Sequence, residues 1–119
     1  MPENLLLSIF IPAHNEGKTI HFILDKVRAT VLTNNISKEI IIVNDFSTDN
    51  TQEAILNYMS KHSEFNIMYY KQEVNKGKGA ALHTGIEKAK GNFLIIQDTD
   101  LEYDPNEYNI LLAPVLSGD

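Results

Sequence analysis

The feature that most constrains this chain is the alternation of short apolar segments with helical patterns. Four apolar runs, rich in β-branched, aromatic and leucine residues, occupy positions 5–11, 39–43, 67–70 and 93–96. Runs of this length bounded by polar or turn residues are typical of buried strands. Strands that are joined through helices by short loops form a parallel sheet with right-handed crossovers. The sequence therefore predicts an α/β fold, an open parallel sheet with helices on both faces.

Four helical patterns lie between and after these strands. The first carries an apolar stripe at helical spacing, which consists of Ile20, Ile23, Leu24, Val27 and Val31. The second opens behind the cap residues at 47–49, and the third is expected to stop at Gly91. The last is predicted to begin with Pro105 as its first helical residue, and Pro114 should kink or end it.

Composition narrows the class of protein. With 119 residues the chain has room for one domain, and its ending just after the last helix predicts a domain truncated at its C-terminal end. The absence of cysteine fits a reducing compartment, so a cytoplasmic location is expected. A net charge of −6 with scattered lysines argues against nucleic acid as a partner. No apolar run approaches the roughly 18 residues of a membrane helix, so membrane association is expected only through segments outside this chain.

Polar clusters follow three of the predicted strands, at positions 12–16, 44–49 and 98–102. The carboxyl ends of parallel strands share one edge of a sheet, and ligands of open α/β sheets bind there. Each cluster alone could be an ordinary capped turn, because Asn, Asp, Ser and Thr are common in turns. Three clusters at one edge favour a binding site.

The acidic segment after the fourth strand predicts a cation site. Asp98 and Asp100 are two residues apart in an extended segment, so both carboxylates point to one side, and Glu102 continues the alternation. Neighbouring carboxylates repel each other unless a cation joins them, and Mg²⁺ and Mn²⁺ prefer such oxygen ligands together with substrate phosphates. We therefore expect a nucleotide-phosphate enzyme, the alternative being a solvated acidic loop.

Other polar residues of the same edge are candidates for nucleotide binding. Asp45 could accept hydrogen bonds from a base or a ribose, and His14 could contact the ligand. Glu16 could equally be a first-turn charge of the first helix. Lys76 and Lys78 lie in a glycine-containing loop that could face phosphate, although a plain tight turn explains that loop as well. The remaining histidines, His21, His62 and His83, are expected to be surface or packing residues.

The four segments 12–16, 42–49, 75–79 and 97–105 resemble, in order and spacing, the motifs of family 2 glycosyltransferases. The resemblance is strongest to the branch of dolichyl-phosphate mannosyltransferases and polyprenyl-phosphate sugar transferases. It implies a GT-A fold, whose Rossmann-like nucleotide-binding half is this chain. It also implies that Pro12, His14 and Glu16 line the nucleotide pocket and that Asp45 contacts the base. Asp98 and Asp100 would form the DxD motif that holds the metal on the donor diphosphate, with Glu102 able to join.

The implied activity is metal-dependent transfer of a sugar from a nucleotide-diphosphate donor, with inversion and with a polyprenyl phosphate as a candidate acceptor. The reaction would take place in the cytoplasm or at the cytoplasmic face of a membrane. Any catalytic base would lie beyond residue 119, so the chain alone is expected to be inactive. Asn44 stands where an aspartate is common and Phe46 where a glycine is usual, so Phe46 should crowd the turn or change its backbone angle.

Three other functions compete with this one. A sugar nucleotidylyltransferase would need a glycine-rich, arginine-containing loop after the first strand, where 12–16 does not supply one. A phosphoacceptor signalling domain would need its aspartate after the third strand, where the chain has Lys71-Gln72-Glu73. A catalytically silent nucleotide-binding module is compatible with all of the motifs.

Overall fold

The computed structural model of the chain describes residues 5–72, 74, 78–97 and 105–116. Four strands and four helices alternate along it, with short 3₁₀ turns at Thr33–Asn35 and Pro105–Glu107. The elements in chain order are β1 Leu6–Ala13, α1 Ile20–Ala29, β2 Ser37–Asp45, α2 Thr51–Lys61, β3 Ile67–Gln72, α3 Lys78–Lys88, β4 Phe93–Ile96 and α4 Tyr108–Leu116.

The strands form one parallel sheet in the order β3-β2-β1-β4. Residues of β1 pair in register with those of β2, from Leu6 opposite Ser37 to Ala13 opposite Asn44. The two central strands are apolar over most of their length because both of their faces are covered, as expected for a parallel sheet. This architecture confirms the predicted α/β fold.

Alternate residues of β1 point to opposite faces of the sheet and build two apolar clusters. The larger cluster joins Leu7, Ile9 and Ile11 to α1, α2 and α4. The smaller one joins Phe10, Ile41 and Val43 to α3. Each fully buried side chain of this size contributes about 1.5–3 kcal/mol of transfer free energy, so the clusters hold helices on both faces and fix the sheet edge where the loops meet.

Helix α3 approaches the sheet closely at Gly85. A Cβ atom at this position would lie 2.3 Å from Cδ1 of Phe10, so only glycine fits there without a shift. By contrast, a Cβ atom at Gly79 in the first turn of the same helix would meet nothing within 4 Å.

Helix α1 is shorter than predicted. It ends at Ala29, and Val31 lies outside the apolar stripe with 83% of its surface exposed, so the assignment of Val31 to that stripe is wrong. The cause is distant in sequence: the Lys38 ammonium of β2 donates hydrogen bonds to the carbonyl oxygens of Val27 at 2.7 Å and Arg28 at 3.0 Å. Burial lowers the pKa of Lys38. The lysine therefore satisfies the carbonyl groups that a further helical turn would have used.

The other helix boundaries differ by smaller amounts. Helix α2 begins at Thr51, where the Asp49 carboxylate accepts a hydrogen bond from the Thr51 N–H at 2.9 Å. Pro105 opens a 3₁₀ turn rather than α4 itself, and Pro114 lies inside α4, which continues to Leu116. None of the helices in the described part of the chain is long and apolar enough to cross a membrane.

Candidate functional site

Two strand-to-helix loops meet at the carboxyl edge of the sheet. Strands β1 and β2 are neighbours and end almost level, with Ala13 opposite Asn44. The loop after β1 (residues 14–19) and the loop after β2 (residues 46–50) therefore start side by side. We call these the first loop and the second loop. Hydrogen bonds join the two loops along most of their length, so the loops form one surface.

The imidazole of His14 is fixed against the end of β2. Its Nδ1 atom lies 2.7 Å from the backbone carbonyl oxygen of Asp45. A carbonyl oxygen can only accept, so Nδ1 carries the hydrogen, and in the neutral ring Nε2 is then a hydrogen-bond acceptor. His14 is solvent-exposed, and its Nε2 atom is 3.4 Å from the Asn15 side-chain nitrogen. The structure therefore presents an acceptor nitrogen at the sheet edge, in agreement with the predicted position of His14.

Asn15 fastens the first loop to the second. Its backbone N–H donates to the Ser47 hydroxyl at 2.9 Å, and its Oδ1 accepts from the backbone N–H of Thr48 at 2.8 Å and of Asp49 at 3.3 Å. The residue has a φ of 55°, which asparagine tolerates better than most residues. Sequence reasoning gave Asn15 no role, because its partners are more than thirty positions away.

Glu16 and Gly17 continue the junction. The Glu16 N–H donates to the Thr51 hydroxyl at 2.8 Å, and the Gly17 N–H donates to the Asp49 carboxylate at 3.1 Å. Hydrogen bonds from the Thr51 hydroxyl, above all, lower the pKa of Asp49. Helix α1 begins at Ile20 and has no acidic residue in its first turn, so the alternative assignment of Glu16 to that turn is wrong. Instead the Glu16 carbonyl oxygen accepts from the Ile20 N–H at 2.8 Å.

Asp45 is the last residue of β2, not the first residue of the loop. Only 8% of its surface is exposed, and its Oδ1 accepts a hydrogen bond from the Gln72 amide at 3.0 Å. Gln72 is the last residue of the neighbouring strand β3. The carboxylate is thus held at the same edge as His14, where sequence reasoning placed it.

Asn44 is buried and uses both ends of its amide. Its nitrogen donates to the Tyr69 hydroxyl at 3.0 Å, and its oxygen accepts from the Ser47 N–H at 3.1 Å. The Tyr69 hydroxyl in turn donates to Gln52 at 3.1 Å. An aspartate could not make the first of these bonds because it lacks a donor. Asparagine at this position therefore matches the hydrogen-bond network of this chain.

Phe46 follows directly and adopts a φ of 47°, in the left-handed region that glycine occupies most easily. The sequence predicted that Phe46 crowds the turn or changes its backbone angle. In the structure the phenylalanine adopts the left-handed conformation, and the residue is 41% exposed.

The end of β4 lies beside β1 at the same edge. The Gln97 N–H donates to the carbonyl oxygen of Phe10 at 2.8 Å, and its buried side chain accepts from the Tyr108 hydroxyl at 2.7 Å. The segment that follows contains Asp98, Asp100 and Glu102, which lie outside the described residues.

The sequence also predicted roles for Pro12, for two lysines and for three further histidines. Pro12 is half-buried near the end of β1. Lys76 lies outside the described residues, and Lys78 begins α3. His21 and His83 are exposed and His62 is half-buried, as expected for surface and packing residues. Among the described residues, no group of three or more His, Asp or Glu side chains is placed to hold a metal ion.

The chain belongs to glycosyl transferase family 2, whose sequence model matches residues 8–119. This agrees with the family suggested by the motifs and disfavours the nucleotidylyltransferase and phosphoacceptor alternatives. A dolichyl-phosphate beta-glucosyltransferase of Trichomonas vaginalis is 33% identical over 121 residues, which cover 98% of this chain and 37% of that protein. The chain thus spans little more than a third of this relative.

Two solved structures are similar in fold. The mannosyltransferase PcManGT from Pyrobaculum calidifontis, in complex with GDP-Man and Mn²⁺, has a TM-score of 0.72 and 25% identity, covering 79% of this chain and 27% of that one. TarS of S. aureus in complex with UDP has a TM-score of 0.70 and 26% identity, covering 81% of this chain and 28% of that one. The fold is therefore that of GT-A glycosyltransferases.

Proposed function

We propose that this chain is the nucleotide-sugar-binding part of a metal-dependent glycosyltransferase that moves a sugar from a nucleoside-diphosphate donor to an acceptor. The observation that carries the proposal is the joining of the first and second loops at the carboxyl edge of a parallel sheet. At this edge the His14 ring is held on the backbone carbonyl oxygen of Asp45, and the Asp45 carboxylate is a second acceptor. The chain belongs to glycosyl transferase family 2, and nucleotides bind at this edge in open α/β folds.

The base and ribose would bind over the ends of β1 and β2. The Asp45 carboxylate and the Nε2 atom of His14 are acceptors, and they suit the N–H groups of a base and the hydroxyls of a ribose. Pro12 and Glu16 would line the pocket beside them. Lys76 and Lys78 would place positive charge near the phosphates, at the start of α3.

The diphosphate would lie toward the end of β4, where the acidic segment starts. Asp98, Asp100 and Glu102 would hold a divalent cation, Mg²⁺ or Mn²⁺. The donor set fits, because these residues offer only carboxylate oxygens and follow a strand that ends beside β1. When bound, the cation would neutralise the charge that develops on the leaving diphosphate. The Mn²⁺ in the complex of the Pyrobaculum mannosyltransferase supports this part of the proposal.

The proposed acceptor is a polyprenyl phosphate at the cytoplasmic face of a membrane. The Trichomonas relative, a dolichyl-phosphate glucosyltransferase by name, supports this class. A lipid phosphate is already anionic, so its attack on the sugar carbon would need no carboxylate base, whereas a hydroxyl acceptor would need one. Attack from the face opposite to the leaving diphosphate would invert the sugar carbon.

Calorimetric titration of the chain with UDP and GDP, with and without Mn²⁺, tests the proposal. We expect one nucleoside diphosphate to bind only when the metal is present, and an Asp98→Asn/Asp100→Asn variant to lose that binding. Asp119→Asn is a matched control that removes a carboxylate outside the acidic segment. Metal-independent binding, or equal binding by the double variant, would contradict the assigned metal site. Absence of binding by the folded chain would contradict nucleotide binding by this part of the protein.

A further inference from the structure

Phe46 combines two costly properties at the carboxyl edge of the sheet. Its φ of 47° lies in a region that side chains with a Cβ atom rarely adopt. Its large apolar side chain is also 41% exposed to water. The other non-glycine residues with positive φ in the described part of the chain are Asn15 and Asn35, and asparagine tolerates this conformation. Backbone outliers of this kind concentrate at functional sites.

The surroundings of Phe46 identify the chemistry that its ring would serve. The residue follows Asp45, whose carboxylate is an acceptor, and the Asp45 carbonyl oxygen holds the ring of His14. His14 in turn is solvent-exposed, and its Nε2 atom is a second acceptor, which it shares with the Asn15 side-chain nitrogen at 3.4 Å. An exposed aromatic residue next in the chain to an acceptor carboxylate suits a flat heterocycle that carries N–H groups on its edge, because an aromatic face can stack while acceptors bind the edge.

The second loop is held firmly enough to present such a ring. On one side of Phe46 the chain is anchored by β2, and on the other side Ser47 is bound to both Asn44 and Asn15. The backbone of Phe46 is therefore fixed between two hydrogen-bonded neighbours. Ordering this part of the second loop on ligand binding would cost little conformational entropy.

We propose that Phe46 is the stacking platform for the base of the nucleotide and so a determinant of donor affinity. The inference rests on the proposed function and adds to it a base-binding residue. It explains why a strained, exposed aromatic residue occupies this turn, where an asparagine would satisfy the backbone without strain. Stacking acts on the base alone, so Phe46 should contribute nothing to binding of the diphosphate.

The test compares variants of Phe46 by nuclear magnetic resonance titration of the ¹⁵N-labelled chain with UDP, GDP and inorganic pyrophosphate in Mg²⁺. Phe46→Asn removes the ring and keeps a residue that accepts positive φ, and Phe46→Tyr restores a stacking face. Phe22→Ala is the matched control, because Phe22 is the exposed phenylalanine of α1, 56% exposed, and its ring lies against His21. Base stacking on an aromatic residue corresponds to about a 5-fold to 150-fold gain in affinity.

We expect Phe46→Asn to weaken binding of the preferred nucleotide at least about 5-fold, and to leave pyrophosphate binding unchanged. Phe46→Tyr and Phe22→Ala should bind like the wild type. If Phe46→Asn binds the nucleotide as tightly as the wild type while Asp45→Asn does not, the stacking role is wrong and the proposed function stands. If the wild type shows no shifts with either nucleotide, the proposed function itself fails, and the stacking role fails with it.

Discussion

Asn15 Oδ1 accepts a hydrogen bond from the backbone N–H of Thr48 at 2.8 Å, and this bond couples the two loops of the candidate site. The first loop carries His14, and the second follows Asp45. Neither loop belongs to a regular element, so their relative position depends on such side-chain bridges. Asn15 therefore helps to fix the two loops in the positions that the candidate site requires.

Asn15→Gly should therefore destabilise the chain. Glycine keeps the positive φ but removes the side-chain acceptor, which leaves the N–H groups of Thr48 and Asp49 without it. We expect a loss of about 1–2 kcal/mol in the free energy of unfolding, measured by urea denaturation. Asn15→Asp keeps an acceptor oxygen and should lose clearly less. A loss in Asn15→Gly no larger than that in Asn15→Asp would contradict the bridge as a source of stability.

Gly85 should be intolerant of even one added methyl group. A Cβ atom there would lie 2.3 Å from the buried Phe10 ring, so Gly85→Ala should cost about 1–3 kcal/mol through displacement of α3. Gly79→Ala in the same helix is the control, because its Cβ atom meets nothing and alanine favours helix by up to about 1 kcal/mol. Thermal or urea unfolding should move in opposite directions for the two variants. A neutral Gly85→Ala would contradict the close approach of α3.

Ser8 supports a buried carboxylate at the amino side of the sheet. Its hydroxyl donates to Glu39 at 2.5 Å and accepts from the Gly91 N–H at 2.8 Å, and both side chains are almost fully buried. Ser8→Ala leaves the carboxylate and the amide without this partner, so we expect a loss of about 1–3 kcal/mol in urea unfolding. Ser60→Ala, on the exposed face of α2, should stay within about 0.5 kcal/mol of the wild type. A loss in Ser8→Ala no larger than in this control would rule out the Ser8–Glu39 bond as a source of stability.

Tyr58 should make stability fall at alkaline pH. Burial, followed by the hydrogen bond that its hydroxyl donates to Asp25, raises the pKa of Tyr58 to about 12 from its ordinary value of 10.0. The folded pKa of Tyr58 lies above the unfolded one. The contribution of the protonated Tyr58 hydroxyl to the free energy of unfolding is therefore fully present below pH 10 and is lost as the pH rises toward 12.

The difference in unfolding free energy between wild type and Tyr58→Phe measures this contribution, since other alkaline titrations, including that of Lys38, occur in both proteins. The difference should be constant below about pH 9.5 and shrink above it. A difference that stays constant up to pH 11.5 would contradict the raised pKa.

The alternation of strands and helices could be predicted because it depends on local patterns. The apolar runs of β1 and β2 and the helical spacing of Ile20, Ile23 and Leu24 carry that information within a few residues. Distant contacts could not be predicted in the same way. Lys38 in β2 ends α1 before Val31, and Asn15 reaches a loop more than thirty residues away.

The candidate site, too, could be predicted from the sequence only in part. His14 and Asp45 lie at the carboxyl edge because parallel strands place their loops there, which the alternation alone implies. The contact of the buried Asn44 with the Tyr69 hydroxyl depends on the register between β2 and β3, and no single-sequence pattern reveals it. Phe46 is an intermediate case, since the motif marks the position as unusual and the structure supplies the angle.

Paramagnetic broadening by Mn²⁺ tests the central claim most directly, because it reports where the metal and nucleotide lie. The ¹⁵N-labelled chain would be titrated with substoichiometric Mn²⁺ and saturating UDP or GDP. Amide resonances at the carboxyl edge, such as those of Ala13, His14 and Asp45, should broaden, while those of Ser37 and Lys38 at the amino edge should stay sharp. Asp98→Asn/Asp100→Asn should abolish the effect. Broadening centred on the amino edge, or unchanged in that variant, would contradict the proposed site.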